Sequence, residues 1–107
     1  GFPTANISIR RNLSPALGVF SVLIKINNIN YKGVCNVGKR PTLGGLKVLL
    51  EVFIFDFNQE IYGGYVTVFF KQKCREEIKF NSLEELKNQI KEDVKDSKQY
   101  FKDARIN

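Results

Sequence analysis

The chain contains no histidine, no tryptophan and no methionine. Without histidine it cannot build a Ser-His-Asp or Cys-His nucleophile system, nor an imidazole metal site. Acid–base chemistry falls to carboxylates, Lys, Tyr or Cys. Cysteine is scarce. Cys35 and Cys74 lie far apart, match no metal-ligand spacing and sit in apolar, strand-like contexts, which predicts two buried free thiols in a reducing cytoplasm. No apolar run reaches membrane-spanning length and no signal-peptide pattern appears, so the reading is neither exported nor membrane-bound. Acids are short in the first half: residues 1–57 hold seven Lys/Arg against Glu51 and Asp56 alone, whereas the remainder is near balance. A basic half suits a polyanionic ligand, nucleotide or nucleic acid, and equally suits a plain solubility charge.

What is present describes one small globular domain. The 107 residues are 43% hydrophobic with nine Phe, enough to bury a core without metal or disulfide staples. The Gly/Pro-rich start without Met reads as a piece cut from a longer protein. The first dozen residues read as a loop with a short extended piece at 7–9. Residues 18–26 are dense in β-branched and large side chains and predict a strand. Asn27-Asn28 is a turn signal, and 29–37 a return strand. Residues 38–45, with Pro41 and two glycines, read as a loop. Residues 47–57 predict the strongest strand, 58–60 a turn and 61–70 its return. Alternation puts Val48, Leu50, Val52 and Ile54 on one face, and Leu49, Glu51, Phe53, Phe55 and Phe57 on the other. Both faces are apolar, so the strand is covered on both sides, as in a closed barrel with something packed outside.

The last third changes period. Ser82 with Glu85 three residues on is a capping box. Leu83, Leu86, Ile90, Val94 and Phe101 recur at helical spacing, with 98–102 either extending the helix or forming a second one. The expected fold is mainly β, an antiparallel barrel with a C-terminal α-helix.

Four segments are candidates for chemistry. Thr4 and Asn6 offer two hard oxygens from one side of a Gly/Pro-fixed loop, which suits Mg²⁺ that takes most of its ligands from phosphate and water; capping of backbone groups is the plain alternative. Glu51 is a lone mid-strand acid, either a general base in a cleft or a structural carboxylate bonded to a Lys or Arg. In the segment 73–80, Arg75 can clamp a phosphate and Phe80 can lean on a planar ring; otherwise Arg75 pairs with Glu77 and Phe80 covers the helix start. Lys39 and Arg40, in the segment 36–42, can approach a nucleotide or simply line a solvated loop.

The order of these segments carries more than each alone. GFPTAN, then GVF, then NVGKRPT, then an apolar strand with one Glu, then DF–turn–IYG, then R-x-E-x-x-F-x-S-L-x-x-L and a helix resembles the riboflavin kinase family over nearly the whole chain. The resemblance implies a Greek-key riboflavin kinase-like barrel and transfer of the ATP γ-phosphate to riboflavin, giving FMN and ADP. It implies Thr4 and Asn6 at Mg²⁺, and Gly1, Pro3, Thr4 and Asn6 at ATP. Glu51 would be the base, with Arg75, Glu77 and Phe80 at the flavin. It further implies a monomeric module, residues 1–107, behind an adenylyltransferase domain, with neither nucleic acid nor membrane as partner. Two departures stand out. A further strand and a glycine-containing turn that the family carries before GFPTAN are not in this sequence, which predicts an open barrel seam. Phe53 stands where the family often has His. A non-catalytic flavin-binding barrel and an oligonucleotide-binding barrel are the competing readings.

Overall fold

Two asparagines set the first hairpin. Asn27 and Asn28 both take positive φ, 50° and 64°, the left-handed pair that matches a two-residue hairpin turn to strand twist. They join β2 to β3. The computed structural model describes residues 5–8, 17–57 and 66–106, with the backbone alone for 5–8. The elements are β1 (Ala5–Ser8), β2 (Gly18–Ile26), β3 (Ile29–Thr42), β4 (Gly45–Ile54), β5 (Val66–Arg75) and α1 (Leu83–Asp103). All pair antiparallel in one sheet ordered β1-β4-β3-β2-β5. Strands β2, β3 and β4 form a meander and β5 returns to lie beside β2, which is the Greek-key arrangement. Among the described residues β1 and β5 are the two ends of this ladder. The expected 58–60 turn and the start of its return strand lie outside the described residues.

The centre of the sheet carries a buried cluster on each face, while β5 is largely exposed. Phe20, Val22, Ile24, Cys35, Val37, Leu50, Val52 and Ile54 form the inner cluster. Val19, Val34 and Phe55 form the outer one with Phe101 of α1. The strand expected to be covered on both faces is β4: Leu50, Val52 and Ile54 are buried on the inner side and Phe53 reaches the outer cluster, while the helix itself lies against β3 and β5. The end of β4 differs from expectation: Asp56 takes φ 56° and the strand stops at Ile54. Phe57 consequently leaves the Glu51 face and packs edge-to-face on Tyr31, ring centroids 5.0 Å apart, at the inner cluster.

Residues 38–42 are strand, not loop. Beyond Gly18–Val37, β3 has β4 alone as neighbour among the described residues. Pro41, paired with Leu46, thus sits on a one-sided edge where its missing N–H breaks no ladder. Gly38 is buried, and a Cβ there would collide with the Glu77 carboxylate and stand 2.7 Å from Arg40 Nη1. On β5 the register against β2 slips twice, once past Cys74 and once past Lys71. Such bulges re-aim side chains at a strand end.

Helix α1 begins as the capping box predicts. Glu85 N–H donates to Ser82 Oγ at 3.1 Å, while the Glu85 carboxylate accepts from Asn81 N–H at 3.1 Å, one residue before the cap. The helix runs unbroken through 98–102. Its buried line is Asp93, Ser97 and Phe101, rotated from the expected apolar stripe; Leu83 is 66% exposed. The polar members are satisfied. Ser97 donates to Ser21 Oγ at 2.7 Å, and Ser21 Oγ meets Cys74 Sγ at 3.2 Å. Cys35 is fully buried as expected, but Cys74 is only half-buried. Phe101, 1% exposed, is the apolar anchor, edge-to-face on Phe55. Replacing it with Ala should cost about 3–5 kcal/mol through the cavity left. A fall in the urea midpoint at unchanged m-value checks this.

Candidate functional site

The register of the sheet builds the site before any side chain is considered. Glu51 on β4 stands opposite Asn6 on β1 and opposite Asn36 on β3. One row across three strands thus brings Asn6, the lone mid-strand acid Glu51 and Asn36 to one place. Gly1, Pro3 and Thr4 lie outside the described residues. Asn6 is fixed in register by four β1–β4 pairs.

Glu51 is half-buried and ion-paired. Arg40 Nη2 donates to its Oε1 at 2.9 Å. Arg40 Nη1 donates to Glu77 Oε1 at 3.0 Å and to the Lys39 carbonyl at 3.0 Å. These bonds to Glu77 and Glu51, with the charges of both acids, hold the Arg40 guanidinium above its ordinary pKa against the opposing effect of desolvation. Asn36 Nδ2 makes a long contact to Glu77 Oε1, 3.5 Å. Asn36 Oδ1 is buried and has no hydrogen-bond partner among the described residues. A polar atom in that condition marks a place where a donor is missing.

Arg75 closes the other side. Its Nε and Nη2 donate to the two oxygens of Asp93, each at 2.8 Å, and its Nη1 donates to the Glu76 carbonyl at 2.9 Å. The alternative pairing of Arg75 with Glu77 is not what forms. Phe80, half-buried, has the Arg75 guanidinium 6.0 Å from its ring centroid. Arg75, Glu77 and Phe80 therefore belong to one segment, held at its start by Asp93 and at its middle by Arg40.

The sequence singled out Asn6, Glu51, Arg75, Glu77 and Phe80, and offered Arg40 to a nucleotide or to solvent, but gave no role to Asn36 or Asp93, and it did not pair Arg40 with Glu51 and Glu77. Nothing in the local pattern marks these contacts. Arg40 and Asn36 acquire partners through strand pairing, and Asp93 reads as part of a polar helix face. A groove of about 690 Å³ between the β2–β3 hairpin end and the last turns of α1, lined by Tyr31, Lys32, Phe55, Lys98 and Phe101 among others, holds none of the candidate residues.

Among the described residues no group of three or more His, Cys, Asp or Glu could hold a metal ion. The oxygens of Glu51 and Asn36, paired in register, are hard donors of the kind that a cation drawing most of its ligands from phosphate and water accepts.

The fold is thus a small antiparallel Greek-key sheet with one helix packed on it, and an acid stands between two asparagines in one row across β1, β4 and β3. The sequence model described as riboflavin kinase (Flavokinase) matches residues 1–101. The chain belongs to the riboflavin kinase family. It is 50% identical over 102 residues to a bifunctional riboflavin kinase/FMN adenylyltransferase of Haemophilus influenzae, covering 94% of this chain and 33% of that protein. To the protein of the same description in Escherichia coli K12 it is 40% identical, with the same coverage. To that of Bacillus subtilis it is 38% identical over 109 residues, 98% of this chain and 34% of the relative. The chain spans about a third of the length of these curated relatives. A solved structure described as a macrolide-efflux protein from Streptococcus pneumoniae superposes with TM-score 0.83 at 38% identity, over 91% of this chain and 32% of that one.

Cys35 adds a stability consequence. Burial first, and then the Glu51 charge, push its thiol from 9.0 up to about 12. Between those values the unfolded chain binds fewer protons than the folded one, so stability falls as pH rises through that window. Its contribution to the slope approaches about 1.4 kcal/mol per pH unit. Chemical denaturation at pH 8.5 to 10.5 should therefore show a steeper decline for the unaltered protein than for Cys35→Ala, the other titrating groups being common to both.

Proposed function

We propose that this chain transfers the γ-phosphate of ATP to the 5′-hydroxyl of riboflavin, giving FMN and ADP. The observation that carries the reading is the register pairing of Asn6 with Glu51, which sets the phosphate-side motif beside a carboxylate able to take a proton. Thr4 precedes Asn6 by two positions, the spacing at which strand residues share a face.

In this reading Gly1, Pro3, Thr4 and Asn6 bound the ATP phosphates, and Thr4 and Asn6 hold Mg²⁺. The cation, when bound, offsets negative charge on the β- and γ-phosphates. Glu51 takes the proton of the riboflavin 5′-hydroxyl as its oxygen bonds to the γ-phosphorus and the bond from that phosphorus to the β–γ bridging oxygen breaks. Oε1 of Glu51 is held by Arg40, and Oε2 accepts the proton. Phosphoryl transfer asks for position and charge more than for covalent help, which suits a site without histidine. Arg75, Glu77 and Phe80 are the flavin side. Arg75 has three N–H groups in bonds to Asp93 and Glu76, leaving two of the five of a guanidinium for a ligand.

We further propose a longer polypeptide in which this module sits beside an FMN adenylyltransferase, as the bifunctional relatives are named, working in the cytoplasm. The free thiols Cys35 and Cys74 support a reducing compartment. The efflux description belongs to the pneumococcal protein; here no described helix is long and apolar enough to cross a membrane. Against the oligonucleotide reading stands the cover on the aromatic face: Phe55 is packed under Phe101 and is not open for bases to stack.

The test is turnover of riboflavin with MgATP by the intact protein. Glu51→Gln should lower kcat by roughly 10²–10⁴-fold, with riboflavin and MgADP still bound. Thr4→Ala and Asn6→Ala should raise the MgATP requirement and leave riboflavin affinity intact. A Glu51→Gln enzyme at near-normal rate removes Glu51 from the role of base.

A further inference from the structure

Among the described residues Arg40 is the one cation paired with two different acids. It stands on the stretch of β3 that has β4 alone as neighbour. One terminal nitrogen reaches Glu51 on β4 at 2.9 Å, and the other reaches Glu77, beyond the end of β5, at 3.0 Å. The approach depends on Gly38, because any Cβ there would occupy the space of the Glu77 carboxylate and crowd Arg40 Nη1.

The arrangement is poorly placed to serve stability. The Arg40 side chain is 42% exposed and both acids are 33% exposed, and pairs that open to water contribute little. It is well placed to fix direction. A guanidinium is a planar fork whose nitrogens hold their partners at set angles, unlike the single ammonium of lysine. With Oε1 held, Glu51 keeps Oε2 without a donor among the described residues. Next to it in register, Asn36 Oδ1 also has no donor.

We propose that Arg40 is a positioning residue for the phosphoryl transfer: it orients the Glu51 carboxylate toward the polyol hydroxyl and couples that orientation, through Glu77, to the segment on the flavin side. This rests on Glu51 being the base.

The experiment measures kcat, KM for riboflavin and melting temperature for Arg40→Gln, Arg40→Lys, Glu77→Gln and the Arg40→Gln/Glu77→Gln pair in the intact protein. Arg40→Gln should lose ~10–100-fold in kcat, the scale of a misplaced catalytic group. Its riboflavin KM should stay within ~3-fold of the unaltered enzyme, and its melting temperature within about 2 °C. Arg40→Lys should match the parent in melting temperature and still fall short in kcat, and the double variant should be no slower than Arg40→Gln. An Arg40→Gln enzyme with parental kcat, a lysine that restores full rate, or additive losses in the double variant would each overturn the proposal. So would a kcat loss that tracks a large drop in melting temperature. If the unaltered protein does not phosphorylate riboflavin, the reading beneath fails instead, and the two failures are told apart by that control.

Discussion

Arg75 and Asp93 form the joint on which the rest of the helix side depends. Both are largely withdrawn from water, side chains 20% and 7% exposed, and their two parallel hydrogen bonds tie the end of β5 to the middle of α1. A pair this enclosed earns little over an apolar contact of the same size, yet removing one partner strands the other and costs several kcal/mol. Its value here is geometric. It fixes where β5 stops, hence where residues 76–81 begin their path to the helix cap at Ser82, and hence where Glu77 can meet Arg40.

Local rules set most of what precedes that joint. The left-handed pair Asn27-Asn28, the β-branched density of β2 and the Ser82–Glu85 cap are encoded within a few residues of where they act, and each is legible in the sequence. The covered character of β4 is legible too, because apolar residues on both faces admit no other reading. What hid was non-local. Gly38 and Pro41 look like breakers until it is known that β2 ends at Gly18 and frees one edge of β3. The buried line of α1 runs through Asp93 and Ser97, whose partners Arg75 and Ser21 lie on distant strands. An apolar stripe therefore predicts the wrong rotation. The bulges at Cys74 and Lys71 leave no mark on composition.

The candidate site divides in the same way. Glu51 was legible because an acid amid Leu, Val and Phe is conspicuous in any strand. The contacts of Asn36 and Arg40 were not, since nothing along the chain says which strand residue 36 or 40 will face. Strand pairing makes them neighbours of Glu51. A row of residues running across strands is invisible along the chain and immediate once the register is known. The same row separates the Glu51 end of the outer face from the basic groove beneath the last turns of α1, so one helix-covered face offers two chemically different ends.

The return of β5 to β2 also governs how the chain reaches this state. Neighbouring hairpins can zip from their turns, so β2, β3 and β4 can pair soon after they are made. Ile26, by contrast, must wait for Val66, and Ser21 for Ser97, partners that close long loops at an entropic cost. During synthesis Val19, Val34 and Phe55 would remain uncovered until the final helix emerges. The outer apolar face is therefore the surface most in need of protection in a nascent or truncated chain, and the last twenty or so residues act as its lid as much as its support.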